Sequence, residues 1–490
     1  MNKTHILFCI THILYTLFKL VRIKDIFNRI SDGKFWQDPY SEKKNLCKQL
    51  ISFSKCVAFL YKKIIILSFN LIYMKKQYAL LLGFLLFSIG VTAQNAAPLY
   101  DLLVKGGRVM DAKNGIDEIM DVAIKQGKIF KVDKNLNAKD AKQVVDAVGL
   151  IVAPGLIDMH AHVFAGTQPD HYLSDGLSAL MPDGYTFRVG VTTAVDCGGA
   201  GWKNFATFKK NVIDVSQTRV LSFLNIVGEG MRGGNYEQDL AEMNPTFAAN
   251  AAKEYSEYIV GFKLAHFNGE DWTPTDRVVE AGKLAKLPVI IDFGGSKPNL
   301  PIQDLFFKHL RPGDIYTHSF AALGGVREEI LDEKNNLKPF VLEAQKRGII
   351  FDVGYGGTSF NYSQAIPALK AGFYPNTIST DLHTGSMNNS MKDQLSVMSK
   401  FLNMGMPLVE VIKASTWKPA QVINRPLLGN LSVGAEADIA ILNIRKGNFG
   451  FYDKTGFKLK GTEKFECEVT IKGGKVIYDL NGLADPIYVK

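Results

Sequence analysis

Two histidines one residue apart, His160 and His162, close the apolar run APGLIDMHAH. Four more metal-binding or ionisable side chains stand at the ends of later apolar runs. Lys263 ends YIVGFKLAH, Asp292 ends PVIID, His318 sits in DIYTHSF, and Asp381 ends NTISTDLH with His383 just beyond. Neutral imidazoles and carboxylates are ligands for zinc and, less selectively, for manganese or iron. A lysine ammonium cannot bind a metal. A lysine carrying CO2 as a carbamate can, because its two oxygens bridge two ions; without CO2, Lys263 reads as an ion-pair residue.

Such a set works only if separate elements bring it to one place. Strand alternation sends residues i and i+2 to the same side, so His160 and His162 can face inward together. Eight short apolar runs recur through the middle of the chain: GLIVAPGLIDMH, VTTAVDCGG, VLSFLNIVG, YIVGFKLAH, PVIIDFGG, DIYTHSF, IIFDVGYGG and NTISTDLH. Helical stretches such as TFAANAAKEYSEY, DRVVEAGKLAKL, NLKPFVLEAQKRG and YSQAIPALKAG lie between them. This alternation predicts an α/β fold, a (β/α)8 TIM-like barrel over 154–422, with catalytic groups at the C-terminal ends of its strands. Residues 94–153 and 423–490 are strand-rich and punctuated by Gly-containing turns. They are expected to pack together as a small β-sandwich built from both chain ends.

The chain has 490 residues and a formal charge of +9. The charge is local. Residues 1–73 carry 12 Lys/Arg against 4 Asp/Glu, and Lys75 and Lys76 add two more. Residues 77 onward carry 43 basic and 44 acidic side chains, which gives no ground for a nucleic-acid partner. Met74 opens MKKQYALLLGFLLFSIGVTAQN, a basic start, an apolar run and small residues before a cleavage point after Ala93. We therefore expect 74–93 to be a signal peptide, 1–73 to be translated upstream sequence, and the mature protein to be periplasmic or otherwise exported. No stable membrane anchor is expected after cleavage. Three of the five cysteines fall in 1–73, leaving Cys197 and Cys467, too few for a disulfide framework.

APGLIDMHAH, the lysine of VGFKLAH, IYTHSF, ISTDLH and the closing GNLSVGAEADIAIL resemble the amidohydrolase superfamily, nearest its deacetylase-like and dihydroorotase-like branch. The resemblance runs from about Leu99 to Tyr488. It implies one or two divalent ions, zinc first. His160 and His162 would hold one ion, Lys263 as a carbamate would bridge to a second, and His318 would help hold the second. Asp381 would bind the first and act as catalytic base toward metal-bound hydroxide. The implied activity is hydrolysis of an amide or ester bond in a small acylated amino or hydroxy acid. The alternatives are a cyclic amidase of dihydroorotase or hydantoinase type, or a metal-poor relative that binds without turnover. The implied partner is a small-molecule substrate, and a homo-oligomer is compatible with the sequence. The chain departs from the branch at Asp292 and Tyr355, where histidine is typical. Asp292 can replace histidine as an oxygen ligand, favouring manganese or iron, or can serve as a residue outside the ligand set before GGSKP.

The remaining candidates are read as follows. Asn225, His266, Tyr355 and His383 are placed at the substrate side of the rim. Asn225 could equally cap its loop, His266 could replace the missing histidine, and His383 could orient Asp381. His171 and His309 read as surface residues, and Cys197 as a small packing residue. The GGAG and GYGG runs read as tight turns, because neither has the flanking pattern of a phosphate loop.

Overall fold

The computed structural model describes Tyr15 and residues 98–292, 300–324 and 327–489. The expectations for 1–73 and 74–93 lie outside these residues. None of the described helices is long and apolar enough to cross a membrane.

The chain first lays down five strands: β1 (Tyr100–Asp111), β2 (Ile116–Lys125), β3 (Lys128–Asp133), β4 (Ala141–Asp146) and β5 (Ile151–Pro154). It then enters a parallel series, β6 (Leu156–Ala161), β8 (Val191–Gly201), β9 (Arg219–Asn225), β10 (Ile259–Leu264), β11 (Val289–Ile291), β12 (Ile315–Tyr316) and β13 (Ile350–Phe351), with the short β7 (Ala165–Gln168) standing outside that sheet after β6. The last strands are β14 (Ile439–Tyr452), β15 (Lys458–Lys472) and β16 (Lys475–Asp479).

The parallel sheet runs β13-β12-β11-β10-β9-β8-β6. Its strands β6, β8 and β10 are buried at every position, as expected where both faces are covered. The eighth run, 376–383, forms no regular strand. It closes the ring through parallel bridges Asp352↔Thr377 on one side and Ala161↔Leu382 on the other. Backbone bonds from Val353, Tyr355 and Gly356 to Thr377, Ser379 and Thr380 complete one seam. On the other, Asp381 N donates to His160 O, and His162 N to Leu382 O. Helices α1 (Phe205–Asn211), α2 (Pro245–Glu254), α3 (Thr273–Ala285), α4 (Pro339–Arg347) and α5 (Tyr362–Lys370) follow β8, β9, β10, β12 and β13, and α6 (Gln394–Asn403), α7 (Leu408–Ser415) and α8 (Trp417–Val422) follow the eighth run. Ile157, Val195, Leu221, Val260, Ile290, Ile315 and Ile350 fill the barrel interior, closed off by Ala420 and Ile423 of the α8 segment. The interior is a packed core below the catalytic end, as barrels of this type require.

The chain ends share one eight-stranded sheet, ordered β16-β15-β14-β5-β1-β2-β3 with β4 on β1. The join between N- and C-terminal parts is the antiparallel pair β5–β14, from Ile439↔Pro154 to Leu442↔Ile151. Val104, Val122, Ile124, Val152, Ile439, Ile441, Val469 and Ile471 form its own core.

Candidate metal centre and active site

β6 carries a one-residue bulge: Asp158 pairs with Ala194, but Ala161 pairs with Asp196. The extra residue changes the parity of the strand. Met159 belongs to the barrel interior, whereas Ala161 packs outside, so His160 and His162 take the inward positions above Met159. Both are buried.

His160, His162 and Asp381 bring one ligand atom each to within 4.8 Å of one another. His162 Nε2 lies 2.8 Å from Asp381 Oδ1, and His160 Nε2 lies 3.6 Å from the same oxygen. Next to them, Lys263 Nζ lies 3.4 Å from His160 Nε2 and 3.6 Å from Asp292 Oδ2. His318 Nε2 is 3.1 Å from Asp292 Oδ2, and the His160 and His318 rings are 5.1 Å apart. All six predicted ligand residues thus share one buried pocket at the strand ends.

The tautomers follow from the partners. Thr317 Oγ1 donates its single proton to Asp352, so it accepts from His160 Nδ1–H at 3.0 Å. His318 Nδ1–H donates to Gly354 O at 2.5 Å. Each ring is therefore left with Nε2 facing the cluster. For His318 that nitrogen faces a carboxylate oxygen, which requires a proton or a cation between them. His162 Nδ1 is buried with no hydrogen-bond partner. Imidazole nitrogens and carboxylates converging in this way fit a divalent ion.

Electrostatics agree. Burial, and next the Lys263 charge, push His160 below its ordinary value; burial pushes His162 down to about 3. Both rings are neutral at pH 7, the form that binds metal. Burial opposes ionisation of Asp381 and Asp292, but the neighbouring imidazoles outweigh it, joined at Asp292 by Lys263, and both carboxyls are held well below the usual range. Burial would lower Lys263, but Cys197, Asp292 and Asp381 hold it above its ordinary value.

Close approach of the backbone makes room for this packing. A Cβ on Gly354 would lie 2.2 Å from Thr317 Oγ1, 2.9 Å from His318 Nδ1 and 3.0 Å from His160 Nδ1. One on Gly356 would lie 2.4 Å from Asp381 Oδ2. His318 and Asp381 themselves adopt left-handed backbone, with φ of 56° and 52°. Such conformations cost energy in non-glycine residues and gather at functional sites.

The four residues placed at the substrate side divide. His266 is at the mouth, with Nδ1 2.9 Å from Glu237 Oε2 and Nε2 3.7 Å from Asp292 Oδ2. Burial opposes its charge, but Glu237 and Asp292 raise it to about 9. His383 caps the turn Thr384–Met387 by accepting from Gly385 N, with its ring 6.3 Å from that of His162. Asn225 makes the loop-capping contact: it donates to Gly198 O and accepts from Val227 N, tying the β8 and β9 ends together. Tyr355 stacks on Phe360 with its hydroxyl on Lys400 and Tyr452 O, so its polar tip is spent on packing against β14.

Residues that the sequence did not single out support the centre. Asp352 accepts from Thr317, Thr377 and Ser379, joining β12, β13 and the eighth run beneath His160. Asp158 accepts from both the N–H and the hydroxyl of Thr380, the residue before Asp381, and burial pushes it up to about 7. The only sequence signal for either was an aspartate inside an otherwise apolar run.

The profile of the amidohydrolase family matches residues 359–477. A deacetylase of Brucella anthropi is 32% identical over 374 residues, covering 74% of this chain and 88% of the relative. The solved structure of an adenine deaminase superposes with a TM-score of 0.70 at 27% identity, covering 78% of this chain and 100% of that one. That of a dihydroorotase gives 0.67 at 28%, covering 77% and 99%. With the barrel, the histidine pair and Asp381 of the eighth run in place, this chain belongs to the amidohydrolase family, in its deacetylase-like and dihydroorotase-like branch.

Proposed function

We propose that the protein is a metal-dependent deacylase that hydrolyses the amide or ester bond of small acylated amino or hydroxy acids. The observation that carries this is the convergence of His160, His162 and Asp381 in a chain related over most of its length to a deacetylase. His160, His162 and Asp381 would hold one divalent ion; Lys263 as a carbamate, with Asp292 and His318, would hold a second. Zinc suits the histidine-rich part best. Bound there, such an ion supplies hydroxide at neutral pH and polarises the scissile carbonyl.

The chain's own residues do the rest. Asp381, ionised and beside His162, is placed to take the proton of the attacking water and pass it to the leaving amine or alcohol. Asp352, through Thr317, keeps His160 in the tautomer whose Nε2 faces the cluster. The buried wall around Lys263 keeps bulk water from the reacting bond. The signal-like segment 74–93 supports export before action.

The test is metal analysis of purified protein followed by a panel of N-acyl amino acids, O-acyl hydroxy acids and cyclic imides. Metal-dependent turnover of the acyl compounds is the expected result. Turnover of cyclic imides alone would favour the cyclic-amidase reading, to which the dihydroorotase likeness also points.

A further inference from the structure

We propose that Lys400 is a positioning residue for the metal centre: it fastens Tyr355 to the tip of the β14–β15 hairpin and so fixes the two glycines that lie against His160, His318 and Asp381. This rests on the metal-centre reading above.

Lys400 lies in α6 and is 1% exposed. An ammonium has three donors, and here each meets an acceptor in a different part of the chain. Nζ donates to Tyr355 Oη at 2.6 Å, to Tyr452 O at 3.1 Å and to Ser390 O. Tyr355 in turn donates its hydroxyl proton to Tyr452 O at 3.2 Å. Tyr452 belongs to the hairpin tip, which other bonds hold to the barrel. Tyr362 donates its hydroxyl to Phe451 O and its N–H to Asp453 Oδ2, and Lys454 Nζ donates to Ala322 O. The end sheet thus reaches the barrel beside the strand ends, and Lys400 is where it meets the loop after β13.

Holding a cation in this place opposes stability. Burial, and next repulsion from Lys392, push Lys400 down to about 7, against the pull of Asp453 and Asp393. A methionine would fill the same space without a charge to desolvate. What the ammonium adds is direction, three bonds that fix the hydroxyl of Tyr355.

The glycines on either side explain why that direction matters. Gly354 and Gly356 are both left-handed, with φ of 46° and 60°. Glycine does not restrict its own backbone. The path of the chain here is therefore set by the seam to the eighth run on one side and by the anchored side chain of Tyr355 on the other. Gly354 O accepts from His318 Nδ1–H, which leaves His318 Nε2 facing the cluster. A Cβ on Gly354 would lie 3.0 Å from His160 Nδ1, and one on Gly356 2.4 Å from Asp381 Oδ2, so both backbones lie directly against ligands. Movement of Tyr355 reaches these three ligands with only glycine between.

The experiment is cobalt(II) binding to the metal-free protein, read by chelator competition and by the visible spectrum of the bound ion, with melting temperature alongside. The proteins are wild type, Lys400→Met, Tyr355→Phe, the double variant and Asn403→Ala. Asn403 holds the same hairpin at Glu463 O and Thr462 N, away from Tyr355, and controls for lost stability. Lys400→Met should weaken cobalt binding about 10-fold and alter the spectrum, as expected for loss of a supporting partner. Tyr355→Phe should do the same. The double variant should lose no more than Lys400→Met alone, because one residue acts through the other. Asn403→Ala should lower the melting temperature and leave affinity and spectrum unchanged. Wild-type affinity and spectrum in Lys400→Met, additive losses in the double variant, or the same loss in Asn403→Ala would each overturn the proposal. If Lys400→Met does not fold, Tyr355→Phe against Asn403→Ala decides in the same terms. If wild type binds no cobalt, the metal reading falls. The positioning is then decided by the ring-nitrogen NMR shifts of His160 and His318 in the metal-free protein. Shifts that move in Lys400→Met and Tyr355→Phe but not in Asn403→Ala support it, and any other pattern overturns it.

Discussion

At the scale of single residues, the centre is a set of imidazoles, two of which, His160 and His318, have their outer nitrogens held by Thr317 Oγ1 and Gly354 O. Lys263 is the residue whose role depends most on added chemistry. Lys263→Ala should lose metal and activity together, and short carboxylic acids should restore part of both by replacing the bridging oxygens; unchanged metal content by elemental analysis would refute the bridge. Asp352 lies one shell out. Asp352→Asn should weaken metal binding by about 10–100-fold, read by chelator competition, because Thr317 would no longer be held as an acceptor for His160. The pH dependence has a defined sign. In the metal-free protein, His162 stays neutral down to about 3, against an ordinary 6.5. As pH falls below 6.5, the unfolded chain takes up a proton that the folded chain refuses, so stability drops progressively toward pH 3. Asp381 and Asp292, with lowered folded values, add stability above the usual carboxylate range that is also lost in acid. Thermal melts of chelator-treated protein should therefore fall steeply from pH 6.5 to 4. The metal-binding candidates were legible in the sequence because each ends an apolar run. Asp352, Thr317 and Glu237 were not, because their roles depend on partners 29 to 157 positions away. The hydrogen bonds of Asn225 and Tyr355 were not legible for a related reason: run-end position says where a residue starts, not where its hydrogen bonds go.

At the scale of elements, the eighth run departs most from expectation. Its residues close the ring through backbone bonds to 353–356 on one side and to His160 and His162 on the other, yet they form no regular strand. Side chains compensate. Asp158 holds Thr380, and Asp352 holds Thr377 and Ser379, so two buried aspartates from neighbouring strands do what strand pairing does elsewhere. The irregular backbone also places Asp381 in its left-handed conformation, directed at His162. The apolar pattern of NTISTDLH predicted the position of this element correctly and its regularity incorrectly. Its polar residues at 377, 379 and 380 were the mark of side-chain pairing. Gly354, after β13, is the tightest point of the same region. Gly354→Ala places a methyl against Thr317, His318 and His160 at φ 46°, and at least one of the two imidazoles must move. We expect a loss of about 1–3 kcal/mol in stability together with a larger loss of bound metal. Elemental analysis at a temperature where the variant is fully folded separates the two effects.

At the scale of the whole molecule, the barrel and the end sheet cannot be built one after the other along the chain. The chain enters the barrel from β5 and returns to pair β14 against that strand, so the end sheet is complete only when both termini are in place. The C-terminal part also covers barrel elements. Phe465 N donates to Ser399 Oγ of α6, and Asn403 at the end of α6 donates to Glu463 O. Asp438 joins the two units directly: it pairs with Arg219 at the start of β9, and its carbonyl accepts from Gly155 N at the entry to β6. The strand-rich composition of both ends announced this arrangement; the ion pair that joins them did not show, since Arg219 and Asp438 are 219 positions apart. A chain cut after Asn430 keeps the whole metal cluster in sequence but strips the partner from β5 and opens the core of Val104, Val152 and Ile124. An unpaired edge above exposed aliphatic side chains is an aggregation template. The truncated protein should accumulate as insoluble material at a level where the intact chain from Gln94 is soluble, as measured by fractionation of the expressing cells. Soluble truncated protein with full metal content would show instead that the barrel folds without its end sheet.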